Sequence, residues 1–233
     1  MWGFRTIIVL CAVSSGVFGY LKKEDKTMCP LVKGARNFNL ESLLGSWYVV
    51  QYYATSEEDV IYKCMRAVFQ MGASGGAVPE VDLNITYSFV DDPDNEMLMG
   101  NITYVVPDLS KPAHWVHSED TFLEMYNTYI LDCDNSEWAL LLNCAEKPKS
   151  PRYLTSLMIS KTPNLAPGVV SFLRDKLPKY DITLDYMFEM KQENCEDPGK
   201  NLHYASASQP DKPKKAKHPL KRRTRSKNSV KRH

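Results

Sequence analysis

Asn39-Leu40-Glu41-Ser42-Leu43-Leu44-Gly45-Ser46-Trp47-Tyr48-Val49-Val50 is the stretch whose reading decides the fold. Leu40, Leu43 and Leu44 have the spacing of one apolar turn of helix, and a glycine ends it. A tryptophan follows two residues later, within a β-prone run that reaches Tyr53. Gly45 allows a close approach that a Cβ would obstruct, and Trp47 is large enough to plug one end of a small barrel. A strand is therefore expected over about Trp47–Tyr53, entered from a short helical turn.

Working outward, alternation and turn residues place further strands at about Tyr62–Met71, Val81–Phe89, Met97–Val106, His114–Glu119, Tyr126–Asp132, Glu137–Cys144 and Tyr153–Lys161. Val81–Phe89 has the cleanest pattern: Val81, Leu83, Ile85, Tyr87 and Phe89 share one face, and Asp82, Asn84, Thr86 and Ser88 the other. Asp91-Asp92-Pro93-Asp94-Asn95 is a hairpin turn by composition. The returning strand sets Leu98, Gly100, Ile102 and Tyr104 opposite Asn101 and Thr103. A helix is expected after Thr162-Pro163-Asn164-Leu165-Ala166-Pro167, with Val169, Val170, Phe172, Leu173 and Leu177 as its apolar stripe, and a short strand at about Ile182–Glu189. The fold class is all-β: an eight-stranded antiparallel up-and-down barrel with one C-terminal α-helix packed outside.

The 233 residues, 43% hydrophobic and 11% aromatic, suit one domain plus extensions. Residues 1–19 read as a secretory signal peptide, with Arg5, an apolar run from Ile7 to Val13, and small residues before Gly19. That run is too short to span a membrane, and no other stretch is long enough. A secreted, extracellular protein is expected, with a body over residues 20–204. Two Asn-x-Thr sequons make Asn84 and Asn101 glycosylation candidates. A glycan must face solvent, so both sequons turn Tyr87 and Tyr104 inward, the same parity that alternation gives. The net charge of +1 hides an asymmetry: residues 205–233 hold eleven Lys or Arg against Asp211 alone. Proline-rich and nearly free of apolar residues, they read as a disordered basic tail. An acidic body with a basic tail argues against a nucleic-acid-binding core. The tail suits anionic glycans or membrane surfaces, and Arg222-Arg223-Thr224-Arg225 fits a minimal convertase site.

Three further features sharpen the picture. The Gly-x-Trp-Tyr start at Gly45–Tyr48 comes first, and Asp134 follows later with an aromatic, Trp138, four positions on. Lys161 then stands at the end of the last barrel strand, ahead of Thr-Pro-Asn-Leu. In this order they resemble the three signatures of the lipocalins, and specifically the branch that holds apolipoprotein D and Lazarillo. The resemblance covers about residues 29–195. It departs at two positions: Cys133 stands where the second signature has threonine, and Lys161 where the third has an arginine stacked on the first-signature tryptophan. A lysine can sit over Trp47 as a cation but lacks the planar fork. Gly45, Trp47, Asp134, Trp138 and Lys161 are thus expected to be structural.

Cys11 falls in the signal segment, leaving Cys29, Cys64, Cys133, Cys144 and Cys195. Four cysteines admit three pairings, and spacing does not choose among them. The resemblance implies Cys29–Cys144 and Cys64–Cys195, with Cys133 odd. It also raises a thiol-dependent isomerase, because one lipocalin type uses a cysteine near the position of Cys64 as its nucleophile; a disulfide would consume that thiolate. Metal, hydrolytic and phosphate-binding patterns are not present in the sequence: His114 and His117 are three apart on a strand and point to opposite faces. No enzyme and no cofactor is expected.

The candidate ligand-binding residues are Tyr87, Phe89 and Tyr104, joined by Tyr53, Trp115, Tyr129 and Leu157 if parity extends to their strands. They make an apolar cavity with a few hydroxyls, suited to a flat or elongated lipophile with one polar end. The resemblance implies a carrier for fatty acids, sterols, retinoid-like molecules or bilins, with a role in lipid handling or oxidative-stress protection. The alternative is an extracellular interaction protein held on anionic surfaces by its tail, with the barrel as scaffold.

Overall fold

The computed structural model describes residues 26–72, 78–119, 124–146 and 150–196. The expected signal peptide (1–19) and basic tail (205–233), with the site at Arg222–Arg225, lie outside the described residues, as do the outer limits of the 20–204 body.

The chain opens with a short helix, α1 (Leu40–Leu43), whose N-cap Asn39 accepts from the Glu41 amide through its side chain. Eight strands follow: β1 (Gly45–Ala54), β2 (Tyr62–Met71), β3 (Glu80–Phe89), β4 (Leu98–Val105), β5 (His114–Glu119), β6 (Glu124–Cys133), β7 (Trp138–Ala145) and β8 (Tyr153–Ser160). Each pairs antiparallel with the next, and β1 pairs with both β2 and β8, so the sheet closes on itself. The β4–β5 seam is the thinnest, with the single register pair Val105↔Val116. Helix α2 (Pro167–Arg174) packs outside. It ends sooner than its apolar stripe suggested: Pro178 opens a 3-10 turn through Tyr180 instead of continuing the helix. The strand expected over Ile182–Glu189 shrinks to β9 (Phe188–Glu189), on the edge of β1. Asp181 in the left-handed region and a 3-10 turn at Leu184–Tyr186 occupy the rest.

Two apolar clusters result. One fills the barrel, with Trp47, Val49, Tyr52, Phe69, Leu83, Tyr104, Trp115, Ile130, Leu141, Leu157 and Ile159 among its members. The other lies between the outer face and α2, and joins Val50, Tyr53, Leu142, Met158, Leu173, Leu177 and Tyr180. A strand serving both clusters must be apolar on both faces, and β1 and β7 are.

The closed end is built on Trp47. Its Nε1 donates to the Leu43 carbonyl at 2.6 Å, tying the strand back to α1. Lys161 Nζ lies 3.7 Å from the Trp47 ring centroid and donates to the carbonyls of Ser46 at 3.3 Å and Leu44 at 3.5 Å. A lysine thus covers the ring where the family signature has an arginine, with backbone carbonyls receiving its protons. Gly45 has φ +97, which a residue with a Cβ adopts only under strain. Asp134 Oδ1 accepts from the amides of Ser136, Glu137 and Trp138 at 2.8–3.0 Å, which explains why an aspartate must stand four residues before the aromatic. Asn135, next to it, clamps the β6–β7 turn to α1: its Oδ1 accepts from the Asn39 amide and the Ser42 hydroxyl, and its Nδ2 donates to the Asn37 carbonyl.

Two disulfides hold both ends of the described chain to the barrel. Cys29–Cys144 ties the N-terminal arm to β7, and Cys64–Cys195 ties β2 to the segment after β9. Cys64 sits at a β-bulge with φ +58. Between the chain ends, Arg152 is 4% exposed; it donates to the Met28 carbonyl at 2.8 Å and pairs with Asp181 at 3.0 Å. Arg152→Ala leaves that carbonyl without its donor and the half-buried Asp181 carboxylate with only the exposed Lys26, 3.2 Å away, as counter-charge. It is expected to lower the unfolding free energy by ~2–3 kcal/mol in urea denaturation. Replacing Cys29 and Cys144 together by serine is expected to cost ~2–5 kcal/mol in the same assay, because a long loop is released in the unfolded chain.

Candidate functional site

Strand parity divides the expected site residues into those that face the lumen and those that do not. Tyr87, Phe89 and Tyr104 follow the clean alternation of β3 and β4 and point inward, as does Leu157 on β8. Trp115 is inward but 0% exposed, packed against Phe38, Phe69 and Tyr104, with its Nε1 donating to the Pro112 carbonyl at 2.8 Å. It forms the floor rather than the wall.

Tyr53 and Tyr129 face outward, against expectation. Between Val49 and Gln51 the pairing of β1 with β8 slips by one residue, and this bulge reverses the parity of everything after it. Tyr52 therefore looks into the barrel and Tyr53 packs beneath α2. On β6 the bulge falls after Ile130, so Tyr126, Thr128 and Ile130 share the inner face. Tyr129 stacks on His114 outside, centroids 4.6 Å apart, along a groove of about 520 Å³ beside the N-terminal arm. Alternation alone does not reveal either case: β1 is apolar on both faces, and β6 carries a polar residue on each, Thr128 inward and Asn127 outward.

The open half of the lumen carries a tyrosine cluster. Tyr62 makes edge contacts with Tyr52 at 5.5 Å and Tyr87 at 5.1 Å, and stacks on Phe89 at 5.6 Å. Phe89, at the rim, is 39% exposed. Burial, and after it Glu57 and the neighbouring tyrosines, push the Tyr62 phenol up to about 12; burial drives Tyr52 up further. Tyr153 on β8 belongs to the same cluster, close enough to Tyr52 and Tyr62 to act on both phenols, and Thr155, Asn143 and Thr128 continue the wall from there, turned inward by the parity of Leu157 and Leu141. The sequence signal for Tyr153 and Thr155 was present in Leu157, two and four residues along the same face. His117, inward from Trp115 by the same rule, stacks on Tyr126 at 4.7 Å and meets Tyr104 edge-on at 4.9 Å. His114 faces out, so the two imidazoles are on opposite faces of β5.

The cysteines offer no activated thiol among the described residues. Cys64 is consumed in a disulfide. Cys133 is half-buried at the closed end, and burial pushes its thiol up; its Sγ donates to Asn135 Oδ1 at 3.3 Å. No His, Cys, Asp or Glu cluster among the described residues has metal-binding geometry. Asn84 and Asn101 share the outer face, but Asn84 is 4% exposed and its Oδ1 accepts from Asn101 Nδ2 at 2.6 Å.

No family model matches the chain. Apolipoprotein D of Mus musculus is 24% identical over 194 residues, covering 82% of this chain and 98% of the relative. Apolipoprotein D of Bos taurus is 23% identical over 192 residues, covering 81% and 96%. Among solved structures, lobster apocrustacyanin A1 superposes with TM-score 0.52 at 17% identity, over 71% of this chain and 91% of that one. The siderocalin Ex-FABP, described as functioning through dual ligand specificities, gives 0.51 at 11% identity, over 70% and 99%. At these identities the superpositions show the fold alone.

Burial holds His117 neutral, lowering its value from 6.5 to about 4. The unfolded chain therefore binds this proton more tightly. The stability that the neutral ring contributes is present above pH 6.5 and lost as pH falls toward 4. The urea midpoint is expected to drop across that window, and His117→Phe to flatten the drop, as followed by tryptophan fluorescence.

Proposed function

We propose that this chain, a lipocalin similar to apolipoprotein D along most of its length, carries one small hydrophobic molecule in the open half of its barrel. The observation that carries this reading is the contrast between the two halves of the lumen. The closed half is filled by Trp47, Phe69, Trp115 and Ile130, each 0–1% exposed. The open half is ringed by Tyr62, Ile85, Tyr87, Ile102 and Tyr153, inward but only partly buried. Inward aromatic and aliphatic surface that its own fold leaves uncovered is what an apolar guest would cover. The protein is then a carrier and not an enzyme: affinity comes from burial of ligand surface, and the loops at the mouth set selection.

Secretion accords with the two disulfides and with the similarity to apolipoprotein D. Of the two sequons, Asn101 is the partly exposed one, and we assign the glycan to it ahead of Asn84. Lipid handling, with protection against oxidative damage as one use of it, is the role such a carrier would serve.

The test is native mass spectrometry of the full chain from a secreting eukaryotic host, followed by organic extraction. A stoichiometric lipophile released on mild denaturation is the expected result. Tyr62→Ala and Tyr87→Ala are each expected to weaken its rebinding about tenfold, read by fluorescence titration. An empty protein that also fails to respond to fatty acids, sterols, retinoids and bilins would transfer the function to the tail and to anionic surfaces.

A further inference from the structure

The lumen has a chemical polarity across its width. Among inward positions with described side chains, the barrel strands present no Lys, Arg, Asp or Glu. Arg66 lies outside on the Tyr48 ring, and Lys161 sits at the closed end. His117, held neutral by burial, supplies no positive charge. At the mouth, burial raises the Tyr52 and Tyr62 phenols first and Glu57 adds to it, so the carboxylate nearest the cluster offers an anion no counter-charge. A carboxylate entering this lumen would lose its hydration and meet no counter-charge, at a high cost.

One wall nevertheless carries polar side chains in a row. Thr128, Asn143 and Thr155 are successive cross-strand partners on β6, β7 and β8. Asn143 Nδ2 donates to Thr155 Oγ1 at 2.7 Å, which leaves the threonine O–H as a donor. Asn143 Oδ1 and Thr128 Oγ1 are buried without a hydrogen-bond partner, and Thr128 is 0% exposed. Two buried polar atoms left unsatisfied side by side in one wall ask for a partner from outside the chain. The wall across the lumen, on β2, β3 and β4, is aromatic and aliphatic, with Tyr62, Ile85, Tyr87 and Ile102.

We propose that the lumen selects uncharged lipophiles bearing a hydroxyl over lipid carboxylates, with the ligand O–H donating to Asn143 Oδ1 and the ligand oxygen accepting from the Thr155 hydroxyl. This rests on the carrier reading above and names its ligand class. The apolar body lies along the tyrosine wall, and Thr128 flanks the anchor from the next strand.

The experiment compares hexadecan-1-ol with hexadecanoate, equal in chain length and different in head group, at neutral pH on the delipidated full-length protein. The alcohol is expected to bind at least about tenfold more tightly. Asn143→Leu is expected to weaken the alcohol about tenfold and leave the carboxylate unchanged; Thr155→Val, which keeps the shape of its side chain, provides the second variant if the leucine disturbs folding. Equal or tighter binding of hexadecanoate overturns the inference and leaves the carrier reading standing. So does unchanged alcohol binding in both variants. Binding of neither probe also overturns this inference, and the carrier reading is then decided by the extraction and by the sterol, retinoid and bilin titrations above.

Discussion

Strand β1 must hydrogen-bond to three strands, and the rest of the architecture depends on how it does so. It closes the barrel against β2 near its start, follows β8 along its length, and takes β9 on its edge. One straight pleated strand does not meet all three partners, and the extra residue at Val50 supplies the bend. Before the bulge, Trp47 and Val49 fill the closed end; after it, Tyr52 and Ala54 line the lumen. The displaced Val50 and Tyr53 then seat α2 on the outside. Plug, pocket wall and helix dock are therefore three consequences of one irregularity.

The closed end departs at Lys161 from the lipocalin pattern that it resembles. The arginine that stacks on the tryptophan elsewhere is a lysine here, and a lysine has no flat surface to lay on a ring. Its ammonium stands over the ring while donating to the Ser46 and Leu44 carbonyls, so the cation is held by two kinds of contact at once. Burial lowers its proton affinity, as expected of an ammonium drawn partly out of water. Asn135 does the complementary work from the other side, joining the β6–β7 turn to α1. One asparagine and one lysine thus hold the closed end together.

How far the sequence could be read follows from which strands face water. On β3 and β4 one face is polar, so alternation settles which way Tyr87 and Tyr104 point, and the hairpin between them sets the register. On β1 both faces are apolar, one for the lumen and one for α2, and on β6 both faces mix polar and apolar residues, so on neither strand does period two carry a sign. Tyr53 and Tyr129 were placed inward for that reason. A one-residue bulge leaves no compositional mark either, so Tyr52 stayed hidden beside its neighbour. The polar row Thr128–Asn143–Thr155 was within reach by counting from Leu157, but a row across three strands appears only once their registers are known.

The β4–β5 seam gives the barrel a grain. Everywhere else around the circumference adjacent strands share several register pairs; here Val105 and Val116 alone face each other. A closed hoop with one short weld yields at the weld. Breathing of the wall should concentrate there, with the backbone amides beside the seam exchanging with solvent sooner than those of the long β2–β3 or β7–β8 ladders. Girth at that point is set by a single hydrogen-bonded neighbourhood. The disulfides, which fasten β2 and β7, leave that place free.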